Sequence, residues 1–235
     1  MTTSSKAIFA IIPAAGIGSR MQSSLPKQYL TINGKAILEH TLERFLNHPQ
    51  IEQVIVPLHQ DDVWFEHLAV AKHPKLQAIL GGQERSDSVL AGLQAIEWPQ
   101  SPFVLVHDAA RPCITQQDIN KLIDAARKHE DGAILAMPVR DTMKRSDSNN
   151  CIAQTVDRSQ LWHALTPQIF DKEQLQQAII ETQRLGINIT DEASAIEALG
   201  GKVQLIGGSF DNIKVTHPQD LQIAKLFMQA QEQAL

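Results

Sequence analysis

The chain has 235 residues, 43% of them hydrophobic, and a formal net charge of −5 at neutral pH. That length suits one α/β unit burying roughly 70% of its unfolded surface, and the composition excludes intrinsic disorder. The acidic balance excludes a globally basic nucleic-acid surface but leaves room for a local basic pocket.

Short apolar runs alternate with helical patterns. The run 8–12 is wholly apolar, as in a strand of buried type, and Pro13 and a glycine-containing turn follow at once. Leu38, Leu42, Phe45 and Leu46 then recur at helical spacing. The pattern predicts a strand over 51–58, a helix over 61–72, a strand over 76–80, a loop at Gly81 and Gly82 and a helix over 86–96. A strand over 103–106 ends at His107 and Asp108. Thr115 is placed to cap a helix with Ile119, Leu122, Ile123 and Ala126 on one face, and 133–139 reads as another strand.

Such alternation implies βαβ units, right-handed crossovers and a Rossmann-like, mostly parallel sheet flanked by helices. Ligands of these sheets bind beyond the carboxyl ends of the strands. Three polar clusters, at 13–21, 81–88 and 107–111, sit at predicted strand ends and are expected to converge.

The rhythm breaks after Val139. Strand-like pieces at 142–145 and 152–156 flank a polar turn, Ser146-Asp147-Ser148-Asn149-Asn150, and predict a β-hairpin. It is too small for a second domain. The expected organisation is one unit over 1–235 from which 140–160 projects as an arm. Beyond it, 161–170 reads as partly extended, and 172–185 and 191–199 as helices, the latter with Thr190 as a potential N-cap. The segments 202–206 and 213–215 read as strands, and a last helix starts at Pro218.

Cys113 and Cys151 fall in no CxxC or CxxH pattern, and the nine histidines show no HExxH spacing. Neither a disulfide framework nor a zinc site is expected. Residues 1–12 carry one Lys and a short apolar run without a small-residue cleavage site, so they read as a first strand rather than a signal peptide. No apolar stretch approaches membrane-spanning length. The expected location is cytoplasmic.

The chemistry concentrates in two motifs. In Pro13-Ala14-Ala15-Gly16-Ile17-Gly18-Ser19-Arg20-Met21, small residues let the backbone approach a ligand, and free N–H groups can hold phosphate oxygens. GxxxxGK[ST] is absent, and Met21 stands where GxGxxG needs its third glycine. An ordinary strand-to-helix turn is the alternative. Arg20, and Lys27 of Pro26-Lys27-Gln28, add fixed cations that favour an anion site. In His107-Asp108-Ala109-Ala110-Arg111-Pro112, an Asp just past a buried strand can hold Mg²⁺ with substrate phosphates, or simply form a turn. His107 reads as a structural hydrogen-bonder. No Ser-His-Asp or Cys-His set is apparent.

PAAGxGxRM followed by PKQ resembles the signature of the sugar-nucleotide and alditol-phosphate nucleotidyltransferases. HDAARP, Arg140-Asp141-Thr142, Asp157-Arg158, Thr166-Pro167-Gln168, Thr190-Asp191-Glu192-Ala193-Ser194 and Asn212-Ile213-Lys214-Val215-Thr216 follow in order. The combined set, spanning 11–216, resembles the 2-C-methyl-D-erythritol 4-phosphate cytidylyltransferases of the non-mevalonate isoprenoid pathway. The resemblance implies transfer of CMP from CTP to an alditol phosphate with Mg²⁺ as cofactor. It implies that Pro13, Ala14, Ala15, Gly16, Gly82, Ser88, Ala109 and Arg111 surround the nucleotide, largely through backbone groups. Arg20 and Lys27 would stabilise the pentavalent phosphorus, and Asp108 and Asp211 would lie near the metal. Arg158 and Lys214 would hold the acceptor phosphate, with Asp141, Thr142, Thr166 and Thr190 lining its pocket. The arm would embrace a second subunit in a homodimer. Gln83 receives no role.

Residue by residue, alternatives stand beside these roles. Lys214 reads equally as a solvated edge lysine, Arg158 as a surface charge, and the three threonines as caps or strand formers. For the whole chain the alternatives are a cytidylyltransferase for another alditol phosphate such as ribitol 5-phosphate, an NAD-binding protein, and a non-catalytic dimeric nucleotide sensor. The missing third glycine counts against the second. The joint presence of Arg20 and Lys27 counts against the third, because a mere binder has no use for transition-state cations.

Overall fold

A computed structural model of the chain describes residues 6–16 and 25–233. Its centre is a seven-stranded sheet. The strands are β1 (Ile8–Ile11), β4 (Ile51–Leu58), β5 (Leu76–Leu80), β6 (Phe103–Val106), β7 (Ala133–Pro138), β10 (Trp162–Asp171) and β11 (Gln204–Gly207), in the order β11-β7-β10-β6-β1-β4-β5. All run parallel except β10, which pairs antiparallel with both β6 and β7.

The central strand shows why its sequence is apolar without alternation. Ile8 and Ala10 face one buried layer, and Phe9 and Ile11 face another, so both sides of β1 are covered. The first layer is built by α1 (Ile37–Leu46) and α3 (Gln116–Ala126), through Leu38, Leu42, Phe45, Ile119, Leu122 and Ile123. The second comes from α2 (Arg85–Gln94), α4 (Lys172–Arg184) and α5 (Glu192–Ala198). A β-carbon at Gly92 of α2 would come within 2.8 Å of Ile11, so this helix lies on β1 at a separation that glycine permits. Thr115 caps α3 as expected, accepting from Asp118 N at 3.1 Å. The last helix, α6 (Pro218–Gln233), packs Ala224 and Met228 against Ile32, Ile37, Cys113 and Val215.

The segment after Val139 forms the expected hairpin. Among the described residues strands β8 (Met143–Ser146) and β9 (Ile152–Val156) pair only with each other, and residues 140–155 are exposed throughout. A separate small ribbon joins β2 (Thr31–Ile32) to β3 (Lys35–Ala36).

Three expectations are corrected. The helix over 61–72 is instead two short 3-10 turns, Phe65–His67 and Ala69–Lys72. Asp62 Oδ1 draws in the amides of Trp64 and Phe65, Leu68 is extended, and Glu39 captures the Ala69 amide, so local and tertiary bonds outbid helical ones. The cap of α5 is Asp191, not Thr190; its carboxylate accepts from Ser194 N at 3.0 Å. The segment 213–215 is no strand: among the described residues one backbone hydrogen bond ties it to a distant segment, Val215 N to Ala110 O at 2.8 Å, where a strand would form a ladder.

Candidate active site

At the carboxyl ends of β1, β5 and β6 the three polar clusters converge on one open cleft. Pro13, Ala14, Ala15 and Gly16 form one wall, Gly82, Gln83 and Ser88 a second, and Asp108, Ala109 and Ala110 the floor. Lys27 and Lys214 line the same space. Arg20 lies outside the described residues.

Each wall is held by bonds that use up particular backbone groups. Gln28, buried beneath the first loop, donates to Ala14 O at 2.8 Å and Gly16 O at 3.1 Å. Gly82 N donates to Ser88 Oγ at 3.1 Å, so the buried Ser88 fastens the second loop to α2. A β-carbon at Gly82 would stand 2.2 Å from that of Asp87, which makes glycine obligatory there. From α1, Thr41 Oγ1 reaches across to Ala109 O at 2.9 Å and steadies the floor.

Asp108 is the electrostatic centre. Its Oδ1 accepts from Arg85 Nε at 3.1 Å, and its Oδ2 faces Lys214 Nζ at 2.9 Å and Arg111 Nε at 3.3 Å. Burial opposes ionisation, but Arg85, Lys214 and Arg111 outweigh it and hold the carboxyl well below the usual carboxylate range. Arg111 stands behind the floor, where its Nη1 also donates to Asn212 O at 2.8 Å. Arg85, from the first turn of α2, and Glu192 were assigned no role from sequence. A signal for Glu192 existed: it shares the apolar stripe of α5 with Ile196, and both are buried.

Thr166 is buried, and its hydroxyl is fully engaged. Asp108 N donates to it at 3.1 Å, leaving its hydrogen for His107 Nδ1, also at 3.1 Å. His107 Nε2 then donates to Arg111 O at 3.0 Å, which sets the neutral tautomer. Thr166 therefore clamps the Asp108–Arg111 turn from behind and does not line the cleft. Burial lowers the pKa of His107 from 6.5 to about 4. Across that window the unfolded chain carries a proton that the folded chain lacks, so stability falls as pH drops below 6.5. The full effect is about 3 kcal/mol. Urea unfolding at pH 7 and pH 5 should show a larger loss for wild type than for His107→Gln; equal losses would refute this.

The remaining residues lie elsewhere. Thr190 is exposed and lines a side crevice with Ser86 and Ile189. Asp141, Thr142 and Arg158 belong to the exposed arm and its root, where Arg158 donates to Arg140 O, and none of the three lines the cleft of its own chain. Asp211 is turned towards α6, accepting from Gln231 Nε2 at 2.7 Å, while its Oδ1 is buried without a hydrogen-bond partner among the described residues. Asp108 and Asp211 thus do not share the cleft. Among the described residues no group of three His, Cys, Asp or Glu side chains could hold a metal ion.

The model of the 2-C-methyl-D-erythritol 4-phosphate cytidylyltransferase family matches residues 8–230. The chain belongs to this family. A relative of that description from Shewanella amazonensis is 55% identical over 232 residues, which is 99% of this chain and 98% of its own. Another, from Tolumonas auensis, is 55% identical over 223 residues, covering 95% and 97%. Among solved structures, a 4-diphosphocytidyl-2C-methyl-D-erythritol synthase superposes with a TM-score of 0.83 at 37% identity, covering 96% of this chain and 100% of the other. The Francisella tularensis 2-C-methyl-D-erythritol 4-phosphate cytidylyltransferase gives 0.81 at 35% identity, covering 94% and 99%. As a member of the cytidylyltransferase family the chain is a nucleotidyltransferase, which sets aside the NAD-binding and sensor readings. No helix among the described residues is long and apolar enough to cross a membrane.

Proposed function

We propose that the cleft transfers the CMP moiety of CTP to 2-C-methyl-D-erythritol 4-phosphate, releasing pyrophosphate and giving CDP-methylerythritol for isoprenoid precursor synthesis. The observation that carries this reading is the convergence of Lys27, Lys214 and a clamped Asp108 on one glycine-walled cleft, in a chain of this family.

The reaction is an in-line attack by an acceptor phosphate oxygen on the α-phosphorus of CTP. Both partners are anionic, and one pair of unit charges 4 Å apart costs about 4 kcal/mol at an effective dielectric near 20. Cations must meet that charge. Lys27 and Arg20 are assigned to the charge developing at the α-phosphate, and Lys214 to the acceptor phosphate. Lys214 rests on Asp108, a position from which its ammonium can be shared with an incoming phosphate. No general base is needed, since a phosphate monoester is ionised near pH 7. The state of His107 agrees, because its imidazole is neutral and both ring nitrogens are engaged.

Mg²⁺ belongs with the substrate in this reading. The oxygens of Asp108 are taken by three cations, and Asp211 faces α6, so the side chains suit an ion carried by triphosphate oxygens and water better than a resident metal. Bound there, it would neutralise the triphosphate and ease departure of pyrophosphate. Residues 1–235 act as one catalytic unit whose 140–160 arm pairs two copies, and Arg158, Asp141 and Thr142 serve the acceptor phosphate of the neighbouring copy. A cytoplasmic setting accords with two cysteines that are free, one buried and one exposed.

Pyrophosphate release, measured with CTP against a panel of alditol phosphates and with methylerythritol phosphate against the other nucleotides, tests the assignment. CTP with methylerythritol phosphate should exceed every other pair by at least about 10²-fold in kcat/KM. A preference for ribitol 5-phosphate, or for ATP, would overturn it.

A further inference from the structure

Glu192 opens α5 and is 2% exposed. Its oxygens accept from both terminal nitrogens of Arg85, Nη1 at 2.6 Å and Nη2 at 3.1 Å. The third nitrogen of Arg85, Nε, donates to Asp108 Oδ1. Every nitrogen of this guanidinium therefore donates to a carboxylate, although Arg85 lines the cleft in which phosphates are to bind. Burial works against the charge of Arg85, and Glu192, then Asp108, more than restore it, so its pKa is raised.

The carboxylate is delivered by a pinned backbone. Gln168, buried in β10, donates from Nε2 to Asp191 Oδ2 at 2.8 Å and accepts from Ala193 N at 2.9 Å on its Oε1. One side chain thus grips the residues on either side of Glu192. A cluster of buried charges is poor as a stabiliser, since apolar groups of similar volume commonly do as well or better. Its geometry has a clearer use at a site for anions. Without Glu192, Asp108 alone would face Arg85, Arg111 and Lys214, and the guanidinium would be free to turn towards a phosphate.

We propose that Glu192 is a positioning residue: acting through Arg85, it keeps that guanidinium off the phosphates and clamped to Asp108, so that Lys214 is the cation presented to the acceptor. This rests on the function proposed above. It assigns to the first turn of α5 the task of choosing which cation in a crowded set does the binding.

The test is steady-state kinetics with CTP and methylerythritol phosphate, product inhibition by pyrophosphate, and thermal unfolding of each protein. Glu192→Gln keeps the volume and removes the charge. It should lower kcat about 10-fold, less than the ~10²-fold that a 1 Å misplacement can bring. Pyrophosphate should inhibit it at several-fold lower concentration, because the released guanidinium captures the anion, while Tm stays within a few degrees of wild type. Glu192→Asp keeps the charge but withdraws it by one methylene. It should show ordinary pyrophosphate inhibition with a smaller fall in kcat, and it decides the matter if the Gln variant does not fold. Wild-type kcat in every variant that folds would overturn the proposal. So would a fall in kcat that follows Tm with both KM values rising together, the mark of a merely structural residue. An inactive wild type would overturn the function itself, and this proposal with it.

Discussion

Replacing Lys27 by alanine is expected to lower kcat by about 10²-fold or more while the KM for CTP stays near its wild-type value. Lys27 opens the 3-10 turn Lys27–Tyr29 and lines the cleft. The neighbouring Gln28, not Lys27, ties down the carbonyls of Ala14 and Gly16, so the nucleotide loop keeps its anchor in the variant. What is lost is a cation that matters most when negative charge gathers on the α-phosphate. Such an interaction, stronger in the transition state than in the ground state, raises kcat and not affinity. Initial rates over a range of CTP concentrations check this. A rise in KM alone would show that Lys27 binds the ground state.

Mixing two dead variants, Lys27→Ala and Arg158→Ala, should restore activity under conditions that exchange subunits. The reason lies in the arm. Arg158 is exposed at its root and does not line the cleft of its own chain. Strands β8 and β9 leave Ile152 68% and Met143 36% exposed, and a free two-stranded ribbon of this size is marginal in water. A second copy would cover those side chains and occupy the edges. If the arm carries Arg158 into that copy's cleft, a hybrid dimer holds one site with both residues intact and one with both lost. Equal mixing would then give about a quarter of the wild-type sites. Verified exchange without recovered activity would rule out the shared site.

Much of this was legible in the sequence because the signals were local and repeated. Unbroken apolar runs marked strands covered on both faces, and motifs at their ends marked the cleft that 13–16, 82–88 and 108–110 build. Errors arose where side-chain bonds, several of them from distant partners, decided the outcome. The amides of Trp64, Phe65 and Ala69 are claimed by Asp62 and by Glu39 from another helix, which no helical periodicity in 61–72 could announce. Thr190 and Asp191 are both acceptable caps; Gln168, far away in sequence, also bonds to Asp191. Thr166 belongs to the Thr166-Pro167-Gln168 motif yet turns away from the cleft, because whether a hydroxyl faces a ligand or a buried imidazole depends on three segments at once. Arg85 and Glu192 escaped for the same reason: their pairing joins residues 107 positions apart.

The single reversed strand has a consequence for how such a chain can change. Because β10 runs against β7, the chain leaves the sheet after Pro138 and re-enters at Trp162 along the same border, the one where the ligand loops gather. Everything between those two points hangs from a closed gate. It can lengthen, shorten or acquire a new surface without disturbing the register of any strand in the main sheet. If the arm pairs two copies as proposed, selection can remodel that pairing while the grip on the nucleotide stays as it was.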